Sequence, residues 1–467
     1  MAILGVRHVA LMITASLLVP ACAHAADSAG TSASDTTGAS PMQTKGESKD
    51  DSLTFHGITL YGVIDIGVAY QSHGVKLSGD FPPGLEYVVS KNSGKSLVSL
   101  APNALSQSKI GLRGKEPITD DLSGVFQIET QFVPTSGRLA DGLKAVADNN
   151  GRPLAAQTAF GDSSKTGQLF AGQAWVGLAS KRYGTLTFGR HYSLFLDDVL
   201  AYDPMGASHA FSVIGYQGAA QAGASTEDAR LDQSLKYTLH EGPVRLAGLY
   251  EFGEQDRPAT RAYQVDLGFD TRWISVDLTY GHVNDSISAS PLSATQMLTA
   301  PSGSIAAAVS DNNAFGAFAK LAVTPKAKIF IGYEAIEYQN PSHPLAAGDQ
   351  TIGDYVLGVV NNTAYAHHRH LDYVWAGARY AVSPKIEFTL AYYQASQNSF
   401  AAVGCATSAS SQCSGRLQAV SAMALFKIVK RLDLYTGAMY SRVSDGMASG
   451  YLNRSSIDPM AGVRFTF

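Results

Sequence analysis

From residue 56 to the end, the chain alternates apolar and polar positions with a period of two, interrupted at intervals by turn-forming residues. In ITLYGVIDIGVAY, Ile58, Leu60, Ile64, Ile66 and Val68 share one face, while Thr59, Tyr61, Asp65 and Gly67 share the other. GVFQIETQF sets Phe126, Ile128 and Phe132 against Gln127, Glu129 and Gln131. RLDQSLKY sets Leu231, Leu235 and Tyr237 against Arg230, Asp232 and Lys236, and YQVDLGFD sets Tyr263, Val265, Leu267 and Phe269 against Gln264, Asp266 and Asp270. The final residues keep the rhythm, with Val463, Phe465 and Phe467 opposite Arg464 and Thr466. Successive strand side chains point to opposite faces, so the pattern predicts strands with one apolar and one polar face. Terminal residues usually fray, and a patterned strand there predicts pairing on both of its edges.

About sixteen such segments follow one another, joined by two kinds of connection. KEPITDD, SKRYG, LHEGP, VTPK, AVSPK and KIVKR are short; residues 72–104, 134–167, 193–229, 284–311 and 339–367 form long connections rich in Gly, Ser, Ala and Asn. A soluble β-sandwich also uses one-sided strands, but two features favour a membrane barrel. Segments of about 10 residues, at roughly 3.3 Å each and a tilt of about 45°, span about 23 Å, close to the apolar band of a bacterial outer membrane. Aromatics recur near segment ends, at Tyr61, Tyr70, Tyr237, Tyr250, Tyr280, Tyr380 and Tyr440, where interfacial girdles lie. A bilayer leaves no backbone polar group unpaired, so the sheet must close and the last strand must meet the first. The expectation is an all-β fold, a transmembrane antiparallel β-barrel of sixteen strands with short periplasmic turns and long extracellular loops.

Composition agrees, since 45 Gly, 22 Tyr and only 16% charged residues suit many short strands and tight turns. Beyond the N-terminus no apolar run reaches the ~18 residues that a spanning helix needs. At the N-terminus, Arg7 precedes VALMITASLLVPA and the small-residue site AHA, which predicts a signal peptide over residues 1–25 cleaved after Ala25. LVPAC faintly resembles a lipidation box at Cys22, which Pro20 fits poorly. Residues 26–52, rich in Ser, Thr, Ala and Gly, cannot bury enough surface to offset their ordering entropy and are expected to form a disordered periplasmic extension before a barrel of residues 53–467. The net charge of −4, one unit more negative after cleavage, gives no reason to expect a nucleic-acid partner. Cleavage also removes Cys22, and Cys405 and Cys413 in GCATSASSQCSG then read as a local disulfide of an exported chain.

LYGVIDIGV, SKIGLRGKE, FAGQAWVGLASKRYGTLTFGRHYS, RLDQSLKYT and the terminal GVRFTF, in that order, resemble the general diffusion porins of Gram-negative bacteria from about residue 55 onward. The resemblance implies a homotrimer with a water-filled pore in each subunit and no cofactor. Its partners would be outer-membrane lipid and lipopolysaccharide, the barrel assembly machinery reading Phe467, and small hydrophilic solutes and ions. It also implies that the third long loop, about residues 192–229, folds into the lumen and sets acids against a basic wall, a transverse field that orients polar solutes. The matching basic positions are Lys109, Arg113 and Arg230, with Arg190 on the face of Phe188 by simple alternation; the matching acids are Asp197, Asp198 and Asp203. Many relatives carry a lumen Arg where this chain has Gly172 or Gln173, which implies a wider or less anion-preferring eyelet. Selection of solutes is not the only reason to place charges inward, because an outward charge at mid-bilayer costs about 2–4 kcal/mol in any barrel.

AHHRHLD, residues 366–372, reads as a solvated rim cluster rather than a metal site, since adjacent strand residues face opposite ways, and Lys91 and Lys95 read as surface residues. No Gly-x-Ser-x-Gly elbow, His-Glu-x-x-His or Walker loop is present, so no enzymatic chemistry is expected. The function expected is passive diffusion; a substrate-selective channel is the alternative, and a plugged adhesin or structural barrel is disfavoured by the many Gly, Ala, Ser and Thr at inward positions.

Overall fold

A computed structural model describes residues 53–74, 95–153, 156–157, 168–214, 230–253, 262–352 and 354–467. The expected signal peptide, the N-terminal extension and Lys91 lie outside the described residues, and Lys95 is exposed.

The alternating segments become sixteen wall strands: β1 (Ile58–Gln71), β2 (Lys109–Pro117), β3 (Leu122–Val133), β4 (Ala174–Ser180), β5 (Gly184–Tyr192), β6 (Arg230–Glu241), β7 (Val244–Glu251) and β8 (Ala262–Asp270). The second half comprises β9 (Ile274–Ser290), β10 (Ile305–Thr324), β11 (Ala327–Gln339), β12 (Arg369–Ser383), β13 (Ile386–Gln397), β14 (Gly415–Val429), β15 (Leu432–Asp445) and β16 (Ser455–Thr466). Each pairs antiparallel with its sequence neighbour, and β16 returns to β1 through Val63↔Thr466 to Ala69↔Met460. Phe467 completes the seam: its N–H donates to the Gly62 carbonyl (3.0 Å), and the Gly62 N–H donates to its carbonyl (2.8 Å). The terminal pattern is therefore that of the closing strand. Above β2, Leu97–Pro102 pairs with the upper half of β1 and extends the wall.

Period-two alternation sorts the side chains as expected over most of the wall. Val68, Val176, Leu178, Val265, Leu267, Leu278 and Leu390 lie half-exposed on the outer face, whereas Asp65, Glu129, Gln264 and Asp277 are buried inside. Tyr70, Tyr250, Tyr280, Tyr380 and Tyr440 are exposed girdle residues. Tyr61 is not: its ring is buried inward, where its phenol donates to Glu129 Oε2 (3.1 Å).

Three expectations are corrected. Leu231 was placed with the outward set, yet it is buried in an interior cluster with Leu194, Leu249, Ala262 and Val283. A bulge between Gly189/His191 and Leu231/Ser234, with Gln233 at φ 45°, inserts a residue and inverts the phase of the start of β6, leaving Asp232 exposed. Residues 284–311 are not one loop, because β9 and β10, 17 and 20 residues long, continue pairing to Ser290↔Ala306 beyond a bulge at Asp285. The third concerns the lumen, where the many small inward residues stand beside bulky ones: Phe318, Tyr338, Tyr373, Trp375, Tyr393, Tyr435 and Met439 form a large buried cluster with the third loop.

The long connections carry their own small core. Helix α1 (Gly142–Asp148), capped by Asp141 accepting from Lys144 N (3.1 Å), places Leu143 and Val146 against Ile305, Ala307 and Leu357. Cys405 and Cys413 are joined as a disulfide in the loop after β13, with Cα atoms 4.8 Å apart.

Candidate functional site

After β5 the chain turns inward as helix α2 (Leu194–Tyr202). Ser193 supplies the cap, its hydroxyl accepting from Leu196 N (3.1 Å), and Gln264 Oε1 on β8 accepts from Leu194 N (2.7 Å). These bonds satisfy orphan donors of the first turn. At the other end, Trp375 Nε1 donates to the Tyr202 carbonyl (3.2 Å), and Arg379 donates to the carbonyls of Asp203 (3.1 Å) and Pro204 (2.6 Å). A guanidinium at the carbonyl end also complements the helix dipole. Phe195, Val199, Tyr202, Met205, Phe211 and Ile214 bury their side chains in the aromatic cluster of the wall. The loop is thus bound at one end to β8 and at the other to β12.

The three loop acids are all buried and bonded to residues of the wall. Asp197 Oδ2 meets Lys236 Nζ at 2.5 Å, with both side chains buried. Asp198 accepts from the Thr279 hydroxyl, which also contacts Asp266 Oδ2 at 2.9 Å; Asp198, Asp266 and Asp277 offer oxygens within 4.8 Å of one another. Arg245 answers this crowding through Asp277 (2.9 Å) and Asp270 (2.6 Å). Asp203, fully buried, accepts from Tyr393 OH (2.5 Å), Met205 N (3.1 Å) and Ala207 N (2.7 Å). Asp197, Asp198 and Asp203 are thus each engaged by a donor of the wall or of its own turn.

Lys109, Arg113 and Arg230 do come together. Lys109 Nζ lies 2.9 Å from Glu129 Oε2 and 5.8 Å from the Tyr61 ring centre; Arg113 lies 5.3 Å from the same ring. Arg230 stacks 5.0 Å over Tyr192, whose phenol donates to Glu129 Oε1 (2.5 Å). Three cations therefore surround one carboxylate, with two tyrosines as platforms. Arg190 is not among them. Gly189, at φ 138°, breaks the alternation, and the Arg190 guanidinium turns to Asp232 (2.6 Å) and to the Ala171 carbonyl (3.2 Å).

Gly172 lies against the same carboxylate: a Cβ there would stand 2.3 Å from Glu129 Oε1. The space that a side chain would occupy belongs to Glu129. Gln173 instead accepts from Trp175 Nε1 at 3.2 Å. The face of α2 adjoining the basic group is apolar, since Leu196 and Leu200 pack with Tyr192, the residue that carries Arg230. Inward residues that keep part of their surface accessible include Arg113, Gln127, Trp175, Arg245 and Lys320.

The sequence reading missed Glu129, Lys236, Arg245, Trp375 and Arg379 as site residues. Glu129 and Lys236 stood on the polar face of their segments, so parity alone marked them as inward. Nothing local marks Trp375 or Arg379 as anchors of a helix more than 170 residues earlier.

A sequence profile described as that of the Gram-negative porins matches residues 10–446. An outer membrane porin protein of Bordetella pertussis is 28% identical over 244 residues, which are 51% of this chain and 54% of that protein. The match thus spans about half the length of that relative. Among solved structures, the chain is similar to an anion-selective porin from Comamonas acidovorans (15% identity, TM-score 0.57, 88% of this chain and 99% of that one). It is likewise similar to the trimer form of OmpT from Vibrio cholerae (13% identity, TM-score 0.55, 88% and 99%). At these identities the two structures speak to fold.

Proposed function

The chain belongs to the Gram-negative porin family, and from that premise we propose that it is a homotrimeric outer-membrane channel for passive diffusion of small hydrophilic solutes and ions, with a preference for anions. The observation that carries the preference is the constriction wall, where Lys109, Arg113 and Arg230 surround the single carboxylate Glu129 while the loop acids are held by Lys236, Thr279 and Tyr393. A narrow, partly dehydrated passage with excess positive charge lowers the free energy of an entering anion and raises that of a cation. The apolar Leu196 and Leu200 beside Tyr192 suit anions that carry a small apolar part. The similar Comamonas protein is titled anion-selective, which supports the same reading. This reading assigns no catalysis and no cofactor.

The lipid-facing surface and a structural relative support a membrane-embedded trimer. Tyr70, Tyr183, Tyr250, Tyr263, Tyr280, Tyr333, Tyr380, Tyr392 and Tyr440 are exposed around the wall, as a membrane girdle requires, and the trimer form of the similar Vibrio cholerae protein supports the same assembly here. In this reading residues 1–25 direct export and are cleaved after Ala25, lipid and lipopolysaccharide cover the remaining wall, and the assembly machinery reads Phe467.

The test is single-channel recording of the native, unboiled protein across a salt gradient. Closure in three equal steps with a reversal potential of anionic sign is the expected result; a cation-selective or silent barrel overturns it. Deleting Phe467 removes both seam hydrogen bonds to Gly62 and the terminal aromatic. The expected outcome is at least a tenfold loss of heat-modifiable barrel from outer-membrane fractions, read by electrophoresis of unboiled samples.

A further inference from the structure

Glu334 stands on the inward face of β11 and is fully buried, and neither carboxylate oxygen has a hydrogen-bond partner among the described residues. Other interior carboxylates are answered. Asp65 accepts from Tyr435 OH (2.6 Å), Leu105 N (2.8 Å) and Ser106 N (2.5 Å); Glu129 has Lys109, Tyr61 and Tyr192; Asp277 has Arg245. A carboxylate removed from water without a donor is held at high cost, and a cation restores the balance.

The surroundings of Glu334 are aromatic. Its cross-strand partners are Tyr373 on β12 and Gly316 on β10. The Phe318 ring occupies the space that a Cβ on Gly316 would take, and the Phe195 ring of α2 lies 3.1 Å from the same point. On the other side, Trp375 lies 2.0 Å from where a Cβ on Gly332 would sit, and its ring centre is 5.6 Å from that of Phe318. The basic side chains nearest along these strands are engaged elsewhere: Arg369 donates to Gln397 Oε1 (2.8 Å) and stacks on Tyr338 and Phe400, while Lys320 lies 5.2 Å over Tyr202. The group is thus one buried carboxyl with four rings around it, which ionises when a cation reaches it.

We propose that Glu334, with Tyr373, Trp375, Phe318 and Phe195, forms a second solute site in the channel that takes an organic ammonium group. The carboxylate supplies the countercharge and acceptors for N–H donors, and the rings supply cation–π attraction in a buried site. Phe195 is the cover contributed by α2, so entry requires displacement of its ring. The site is separate from the basic wall and of opposite sign, and it does not depend on the anion preference proposed above.

Native trimers in planar bilayers test the proposal, with benzylammonium chloride as the cationic probe and sodium benzoate as the anionic counter-probe. Benzylammonium is expected to interrupt the current, and Glu334→Gln is expected to raise its half-blocking concentration at least tenfold. Phe195→Ala, which uncovers the site and leaves Glu334 in place, is expected to lower that concentration. A second readout is quenching of Trp375 fluorescence by benzylammonium, lost in Glu334→Gln. Equal block in the wild type and Glu334→Gln overturns the proposal, as does benzoate block that tracks Glu334 equally, or fluorescence that responds to pH alone and not to the amine. A cationic reversal potential recorded without any probe overturns only the anion preference.

Discussion

Asp203→Ala is expected to raise the conductance of each subunit severalfold and to let larger sugars pass. The carboxylate accepts from Tyr393 OH, Met205 N and Ala207 N at 2.5–3.1 Å in a fully buried turn. Removing it leaves three donors without an acceptor, each worth about 1–3 kcal/mol when buried. Even the low end, about 3 kcal/mol in sum, changes the ratio of docked to undocked loop by about two decades. Water can satisfy all three donors once the turn lifts, so the undocked state gains what the docked state loses. The lift must also break the bonds by which Trp375 and Arg379 hold the carbonyls of residues 202–204, so the rise in conductance stays at severalfold. Asp203→Asn keeps one of the two acceptor oxygens, enough for Met205 N or for Ala207 N but not for both, and should show a smaller change. Single-channel conductance and liposome swelling with mono- and disaccharides measure both variants; wild-type conductance in Asp203→Ala would mean that Asp197, Asp198 and the aromatic cluster suffice to hold the loop.

Substituting Arg113 and Arg230 together by Ser is expected to abolish the anion preference. The remaining Lys109 and Glu129 form a neutral pair at 2.9 Å, whereas the wild-type group carries two further cations over Tyr61 and Tyr192. Two unit charges at about 4 Å from a passing ion contribute about 2 kcal/mol even at the dielectric of water, and this attracts an anion while repelling a cation. Their loss should change the relative permeability more than tenfold. Screening supplies an internal control, since the Debye length falls from about 10 Å at 0.1 M salt to about 3 Å at 1 M. The difference between wild type and variant in reversal potential should therefore be large at low salt and shrink at high salt. A reversal potential that the double substitution leaves unmoved at 0.1 M would place the selecting charges elsewhere, with Arg245, Lys320 and Arg379 as the next candidates in the inner wall.

Much of the wall was legible because a strand declares itself locally. Side chains alternate every residue, so Val265, Leu267 and Phe269 outside and Gln264 and Asp266 inside follow from nine consecutive letters. Closure followed as well, since a patterned C-terminus ending in Phe467 has no use for its pattern unless both edges pair. Parity failed where an extra residue enters the ladder. The bulge opposite Gly189 turned Leu231 inward and left Arg190 beside Asp232, and no local signal announces such an insertion.

What the sequence determined by itself was the barrel, its strand order and which side chains can look inward, because these depend on short-range periodicity and on the bilayer's refusal of unpaired backbone. What only the tertiary structure decided was how the charges are partnered. Asp203 meets a tyrosine 190 residues away, and Asp197 meets a lysine on the next strand after a loop. Glu334, a polar residue on the inward face of its strand, has no hydrogen-bond partner among the described residues. A buried charge takes the partner that the closed sheet brings within about 3 Å, and that distance is a property of the folded barrel rather than of any segment of chain.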